Sequence, residues 1–208
     1  MMRAFEPDSR FMAGLTSFAE AVVVNVLFVL TSLPIVTIGA ALSAAHGTLL
    51  EATREEGSRP AATYLRYFRQ TWKPASAAWL VLLPVFGLLL LEYRVIGVMD
   101  GGAAGVVAQA MVLTGIILVA LVGLWVFPVI SQGHGFRASL RLAARLSVKR
   151  LPLSVAGFAV HLLPILVLVF WPQAFGGLIY AMLTIGFAFV IYSTDLILAR
   201  WIPTNPQP

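Results

Sequence analysis

Residues 18–50, FAEAVVVNVLFVLTSLPIVTIGAALSAAHGTLL, decide the fold, and Glu20 is their one formally charged side chain. A membrane span needs about 20 apolar residues, so this run can cross a bilayer with residues left over. Pro34 interrupts the run, because proline lacks a backbone donor and clashes with the preceding helical turn. The run therefore predicts a membrane helix that ends near Leu33 and a second helical piece that begins near Ile38.

The predicted break consists of Pro34, Thr37 and Gly39. A threonine hydroxyl can accept a backbone N–H at a helix start, so Thr37 is expected to cap the second piece, with Gly39 just inside it. Two paths are open: the run crosses the membrane once, or residues 38–50 turn back as a second short span. We favour a single crossing, which would place the N-terminus outside the cell.

The composition predicts a membrane protein. Of 208 residues, 60% are hydrophobic and 11% are charged, whereas soluble domains are about half apolar and about a quarter charged. Residues 101–136 and 151–194 contain no Asp, Glu, Lys or Arg. We predict an all-α polytopic bundle that forms one domain, residues 1–208. Five spans are expected, at residues 18–33, 75–91, 103–130, 153–170 and 175–199.

The spans also show a weak internal repeat. Residues 18–91 and 103–170 each place a proline at the end of a span, Pro34 or Pro128, and follow it with a basic segment. We interpret these as two parallel units closed by a helix at residues 175–199. Chance repetition of a helix–loop–helix pattern is the alternative.

The charges between the spans predict orientation. Residues 51–73 hold five basic and three acidic side chains, and residues 132–150 hold five basic and none acidic. Cytoplasmic loops of membrane proteins are enriched in Lys and Arg. We therefore predict a multi-pass protein of the cell membrane whose basic loops and C-terminus are cytoplasmic. Because the basic residues lie between spans, they do not indicate nucleic-acid binding.

The basic segments form two candidate contact surfaces, each read as an amphipathic cytoplasmic helix. Residues spaced by four share one face of a helix, and the second segment has this spacing throughout. The candidates are Arg66, Arg69 and Lys73 in the first segment and Arg137, Arg141, Arg145 and Lys149 in the second. Three interpretations are open: charges that only set topology, a docking surface for a cytoplasmic protein, or contacts with anionic lipid headgroups or another phosphate ligand.

Ionisable residues inside spans are candidates for function, and these are Glu20, His161 and Asp195. Glu20 and Asp195 are expected at the membrane interfaces, with Asp195 close to Arg200. His161 is expected to bond the backbone of a neighbouring helix. Asn25 is expected to form hydrogen bonds between helices. His46 and His134 are expected to be solvated at the ends of spans.

The chain has no cysteine, which excludes disulfides, thiolate metal sites and cysteine nucleophiles. No spacing among the other residues is typical of a metal site, a phosphate loop or a catalytic pair. We therefore predict no cofactor, no metal, no catalytic residue and no enzymatic activity. A membrane enzyme acting on lipid is the least favoured reading.

Several stretches together resemble the YesL-like bacterial membrane proteins, a family of unknown function. They are NVLFVLTSLPIVTIGA at residues 25–40, LLEATREEG at 49–57, YLRYFRQTWK at 64–73 and WVFP at 125–128. The resemblance implies a five-span protein of the bacterial inner membrane. Genes of that family often lie beside those of carbohydrate ABC importers, which implies an association with sugar uptake.

We expect a non-enzymatic accessory or scaffold of a membrane assembly, linked through this resemblance to carbohydrate ABC import. Its expected partners are anionic membrane lipids and either importer subunits or further copies of the chain, with no nucleic acid. The alternative is a small transporter or channel, because interrupted helices often line substrate paths. Prolines at positions 34, 84 and 164 would supply the interruptions.

Overall fold

The computed structural model describes residues 10–53, 59–99 and 101–202, and these residues form helices joined by short turns, with no strand among them. The all-α prediction is confirmed. The α-helices are α1 (Arg10–Ser32), α2 (Ile38–Ala52), α3 (Pro60–Val98), α4 (Gly102–Ser131), α5 (Phe136–Lys149), α6 (Leu151–Phe170), α7 (Phe175–Ala181) and α8 (Phe187–Leu198). Short 3₁₀ turns span Ile35–Thr37, Pro172–Ala174 and Ala199–Trp201, and a π-helical segment, Met182–Gly186, joins α7 to α8.

Within the described residues, five segments are long and apolar enough to cross a membrane: Ile35–Ala52, Pro60–Val98, Gly102–Ser131, Leu151–Phe170 and Pro172–Trp201. The number of candidate spans matches the prediction, but the set of segments differs. It includes the segment after the break, whereas the apolar part of α1, Thr16–Ser32, is shorter. Large apolar side chains such as Leu88, Met111 and Val169 are exposed. Such a surface is suited to hydrocarbon rather than to water.

The chain folds back on itself at Pro34, and the predicted single crossing is wrong for the described residues. One cavity is lined by Ser17, Ala21 and Val24 of α1 together with Thr48, Leu49 and Ala52 of α2. This pairing of early with late residues means that α1 and α2 form an antiparallel hairpin. The start of α1 and the end of α2 therefore lie at the same end of the bundle.

The break occurs where the sequence places it, but Thr37 does not cap α2 with its side chain. Its hydroxyl instead donates to the carbonyls of Thr31, at 2.6 Å, and Pro34, at 2.8 Å. The Thr31 carbonyl lies in the last turn of α1, where the carbonyls have no partner from a following turn of the helix, and the Pro34 carbonyl also accepts from the Thr37 N–H at 2.9 Å. The Thr37 side chain therefore caps the C-terminus of α1 rather than the N-terminus of α2.

Helix α2 is the centre of the fold, since it packs on α1, α3, α4 and α8. Its residues from Gly39 to Leu50 are buried except for Leu42. Small side chains allow this close packing. At Gly39 an added Cβ would collide with the carbonyl of Ala75, and at Gly47 it would lie 2.7 Å from the ring of Tyr67. Gly39 is therefore required by the approach of α3.

Helix α3 is longer than the predicted span. Its 39 residues extend about 58 Å at about 1.5 Å per residue, whereas the hydrocarbon core is about 30 Å thick. Arg66, Arg69 and Lys73 thus lie in the first turns of α3, and the prediction of a separate first amphipathic helix is wrong. Pro74 and Pro84 both lie inside the helix.

The second amphipathic helix forms as predicted. Ser139, Ala143 and Ser147 of α5 are buried at a spacing of four, and they form the face that meets α4 and α6. The end of α5 is anchored by two bonds, because the Trp125 indole donates to the Ser154 hydroxyl at 2.8 Å and that hydroxyl donates to the Ser147 carbonyl at 3.1 Å. The basic residues lie on the opposite face.

Substitution of Gly39→Ala is expected to destabilise the protein by about 1–3 kcal/mol, because the new methyl group overpacks a backbone contact that cannot move aside. Gly87→Ala is the matched control, since a Cβ there meets nothing within 4 Å, and alanine in a helix interior is favoured by roughly 0.5–1 kcal/mol. Thermal unfolding in detergent micelles measures both variants. Equal unfolding temperatures for the two would contradict the close approach of α2 and α3.

Candidate functional site

The two basic segments meet at one end of the bundle. A cavity of about 680 Å³ separates the first turns of α3 from the turn between α4 and α5. It is lined by Glu51, Arg66, Tyr67, Gln70, Thr71, Pro74 and residues 130–135. Gly133 turns the chain with φ of +87°, a conformation that side chains other than glycine rarely adopt. This turn directs α5 back along the end of the bundle.

All seven predicted basic contact residues are exposed there: Arg66, Arg69, Lys73, Arg137, Arg141, Arg145 and Lys149. One of them is already paired, because the Arg66 guanidinium lies 2.5 Å from the Glu51 carboxylate. The Tyr67 hydroxyl also donates to this carboxylate, at 2.9 Å. The four bases of α5 form a continuous charged stripe, and we call this exposed set of seven the basic end.

A second polar site lies in the interior of the bundle, where His46 of α2 meets Asp195 of α8. His46 Nδ1 is 2.7 Å from Asp195 Oδ1, and both side chains are buried. The expectation that His46 is solvated and that Asp195 lies at the interface near Arg200 is wrong. Buried charges are costly unless they are paired, and here each group supplies the other's partner.

His161 of α6 lies beside this pair. The bond expected with the backbone of a neighbouring helix is not found, since Nδ1 of His161 donates to the Gly157 carbonyl of its own helix at 3.0 Å. The Thr194 hydroxyl is 3.5 Å from the same nitrogen. His161 and His46 both line a cavity of about 220 Å³ between α2, α4 and α6. The structure therefore brings two imidazoles and one carboxylate into one region.

Sequence reasoning missed the His46–Asp195 pair because 149 positions separate its members. One signal could have found it. His46 follows Ala40, Ala41, Ala44 and Ala45 and precedes Gly47, so it belongs to a run of small residues typical of a closely packed membrane helix. A histidine in such a run needs a buried partner, and Asp195 is the acid within the last predicted span.

Asn25 holds the π-helical segment. Its side-chain amide donates to the carbonyls of Met182 and Leu183 at 3.0 and 2.8 Å, and its oxygen accepts from the Ala188 N–H at 2.9 Å. A π-helical turn disturbs the regular backbone hydrogen bonds of an α-helix, and Asn25 satisfies the groups that this disturbance releases. The expected hydrogen-bonding role of Asn25 is confirmed.

Glu20 and His134 lie apart from the buried pair. Glu20 is half-buried and lines a cavity of about 200 Å³ with Phe18, Thr48 and Tyr192. His134 is partly buried in the cavity at the basic end, so it is less solvated than expected. Among the described residues, no three His, Asp or Glu side chains are arranged to hold a metal ion.

The fold and its apolar surface define the class of this protein: a polytopic helical membrane protein. Residues 21–93 match a protein family described as "Protein of unknown function, DUF624". The matched region covers about half of α1, the break at Pro34, all of α2 and most of α3. No curated protein and no solved structure matches the chain. The matched family carries no assigned activity.

Replacing Asp195 alone with Leu is expected to destabilise the fold by roughly 3–5 kcal/mol, because His46 is left buried without its partner. The double variant His46→Leu with Asp195→Leu should lose less than the sum of the two single losses, since neither polar group then remains. Chemical unfolding in detergent micelles measures the three free energies.

The control for this cycle is Thr114→Val, because the Thr114 hydroxyl is exposed and bonds only the carbonyl of Ala110 in its own helix. Its effect is expected to stay within about 0.5 kcal/mol. Additive losses from the His46 and Asp195 variants would show that the two side chains do not stabilise each other.

Proposed function

We propose that the protein is a non-enzymatic accessory subunit of a membrane assembly, and that the basic end docks on an acidic surface of a cytoplasmic partner. The observation that carries this proposal is the exposure of all seven bases at one end of the bundle. A basic patch and an acidic patch attract each other, steer the encounter and fix the orientation of the complex.

The packing of α5 favours a role in docking over a role only in setting the orientation of the chain in the membrane. Charges that only set orientation need no fixed geometry, whereas α5 is held against the bundle by its buried small residues and by the Trp125–Ser154 bond. Its four bases are thus presented on a rigid helix. Pre-organised side chains lose less conformational entropy on binding, which favours a specific partner.

We propose subunits of a carbohydrate ABC importer as the partner. The resemblance of residues 25–40 and 64–73 to YesL-like proteins, whose genes often lie beside importer genes, supports this choice. Anionic lipid headgroups would also contact the basic end, because α5 lies where the bundle meets the membrane surface in this proposal. A second copy of the chain is the other partner that the experiment distinguishes.

A small transporter is the second candidate function, and the buried His46–Asp195 pair favours it. Ionisable groups inside a membrane bundle often mark solute or proton paths. Purified protein reconstituted in liposomes should then move sugars or ions, and this flux should fall when Asp195 is replaced with Asn. Liposomes without flux would remove this candidate and leave the accessory role.

The orientation is tested first, and the absence of cysteine makes single-cysteine variants suitable. Ala61→Cys and Ala144→Cys lie at exposed positions in the two basic segments, and Gln173→Cys lies in the exposed turn between α6 and α7. A membrane-impermeant maleimide added to intact cells should label only Gln173→Cys. Permeabilised cells should show labelling of all three. Labelling of Ala61→Cys or Ala144→Cys in intact cells would contradict a cytoplasmic basic end.

Docking is tested by affinity purification in mild detergent. The wild-type protein is expected to bring down importer subunits, and the charge reversals Arg141→Glu and Arg145→Glu should reduce their recovery at least tenfold. Arg94→Glu is the matched control, because Arg94 is an exposed arginine in the last turns of α3 and its reversal should leave recovery unchanged. A preparation that contains only this chain would contradict the proposal.

A further inference from the structure

Two cavities meet at His161. The larger, of about 430 Å³, lies between α6 and the helices from α7 to α8. Its lining is apolar apart from His161, and it includes Phe28, Leu42, Pro164, Ile165, Leu168 and Leu183. The smaller cavity, of about 220 Å³, contains His46 and His161 among apolar neighbours such as Phe127 and Phe158. Leu42 and His161 line both cavities, so the two spaces adjoin at these side chains.

The larger cavity is a groove in the surface that the bilayer covers. Its rim residues Ile165, Ile179 and Leu183 are each between 43% and 55% exposed. These positions lie in segments long and apolar enough to span the membrane. An acyl or isoprenoid chain can therefore enter the groove from the side without passing through water.

The hydrogen-bonding state of His161 follows from its backbone bond. A carbonyl only accepts, so Nδ1 of His161 must carry the proton that it donates to Gly157. In a neutral imidazole the other nitrogen, Nε2, is then an acceptor. Within the part of the chain that the structure describes, this Nε2 has no hydrogen-bond partner.

The Asp195 carboxyl group fixes the orientation of the His46 ring. Nδ1 of His46 is engaged with the carboxyl group at 2.7 Å, which leaves Nε2 on the side away from Asp195. This Nε2 also has no partner among the described residues. When the pair holds a proton, as imidazolium with carboxylate or as imidazole with carboxylic acid, Nε2 of His46 is a donor. His46 and His161, which both line the small cavity, then offer one donor and one acceptor.

We propose that these two cavities bind a membrane amphiphile whose head is a neutral hydroxyl group. The apolar chain lies in the groove, and the hydroxyl lies in the small cavity, where it donates to Nε2 of His161 and accepts from Nε2 of His46. Asp195 is a positioning residue, because it touches His46 and not the ligand. This site is separate from the basic end, so it does not depend on the proposed docking role.

The composition of the cavity walls selects this head group over others. No Lys or Arg lines either cavity, and a positive charge on His46 would be balanced by Asp195. A phosphate or carboxylate head would therefore be desolvated without a net positive charge to compensate it. A chain without any polar head would leave both imidazole nitrogens unsatisfied. A water occupies about 30 Å³, so the small cavity is large enough for a hydroxyl head with several carbons.

The test uses the full chain in nanodiscs and three photoactivatable C16 probes: a long-chain alcohol, the matching fatty acid and the matching alkane, each with a diazirine in mid-chain. Peptide mapping by mass spectrometry locates the crosslinks. The alcohol is expected to label residues at the groove, Ile165, Ile179 and Leu183, at least tenfold more than either of the other probes. Unlabelled hexadecanol should compete. Equal labelling by the alkane, or stronger labelling by the acid, would overturn the proposal.

His161→Phe keeps a ring of similar size and removes both nitrogens, so labelling by the alcohol should fall at least tenfold. Thr184→Val is the control, because the Thr184 hydroxyl bonds only carbonyls of its own helical segment, and its labelling should match the wild type. Unchanged labelling of a folded His161→Phe variant would overturn the proposal.

Imidazole ¹⁵N spectra of the wild-type protein provide a measurement that does not depend on this variant. Hexadecanol should shift Nε2 of both His46 and His161, and spectra without a shift, as expected if the cavity holds only water, would also overturn it.

Discussion

The close approach of α2 and α3 is the constraint on which the rest of the bundle depends. A Cβ at Gly39 has no room against the Ala75 carbonyl, and α2 is buried along almost its whole length. Lipid tails are as apolar as leucine, so helices in a membrane gain little by hiding apolar surface from them. Dispersion contacts between closely packed backbones, and the polar groups that they enclose, hold such a bundle together instead.

Three polar side chains of this bundle each connect two separate helical segments. Asn25 ties α1 to the π-helical segment, His46 ties α2 to α8, and Trp125 ties α4 to α6. These contacts connect the hairpin at Pro34 with the last helices of the chain. An unsatisfied polar group in an apolar interior is costly, so each contact also excludes alternative helix arrangements.

The sequence predicts the elements better than it predicts the contacts. Some helix boundaries follow from local patterns, since Pro34 places the end of α1 and the four-residue spacing of basic residues places α5. The hairpin of α1 and α2, the length of α3 and the His46–Asp195 pair were not predicted. All three depend on which helices become neighbours, and segments that are apolar on every side carry no periodic signal for that choice.

The same distinction separates the two proposed roles of the molecule. The basic end is a local pattern, visible in the sequence, whose exposure follows from the small residues that bury the other face of α5. The cavities at His161 exist only because α2 folds back and brings His46 beside α6 and α8. If α2 had continued across the membrane in line with α1, the imidazoles would lie apart and the groove would have no polar end. The break at Pro34 therefore determines whether this bundle can bind a ligand in its interior as well as a partner at its surface.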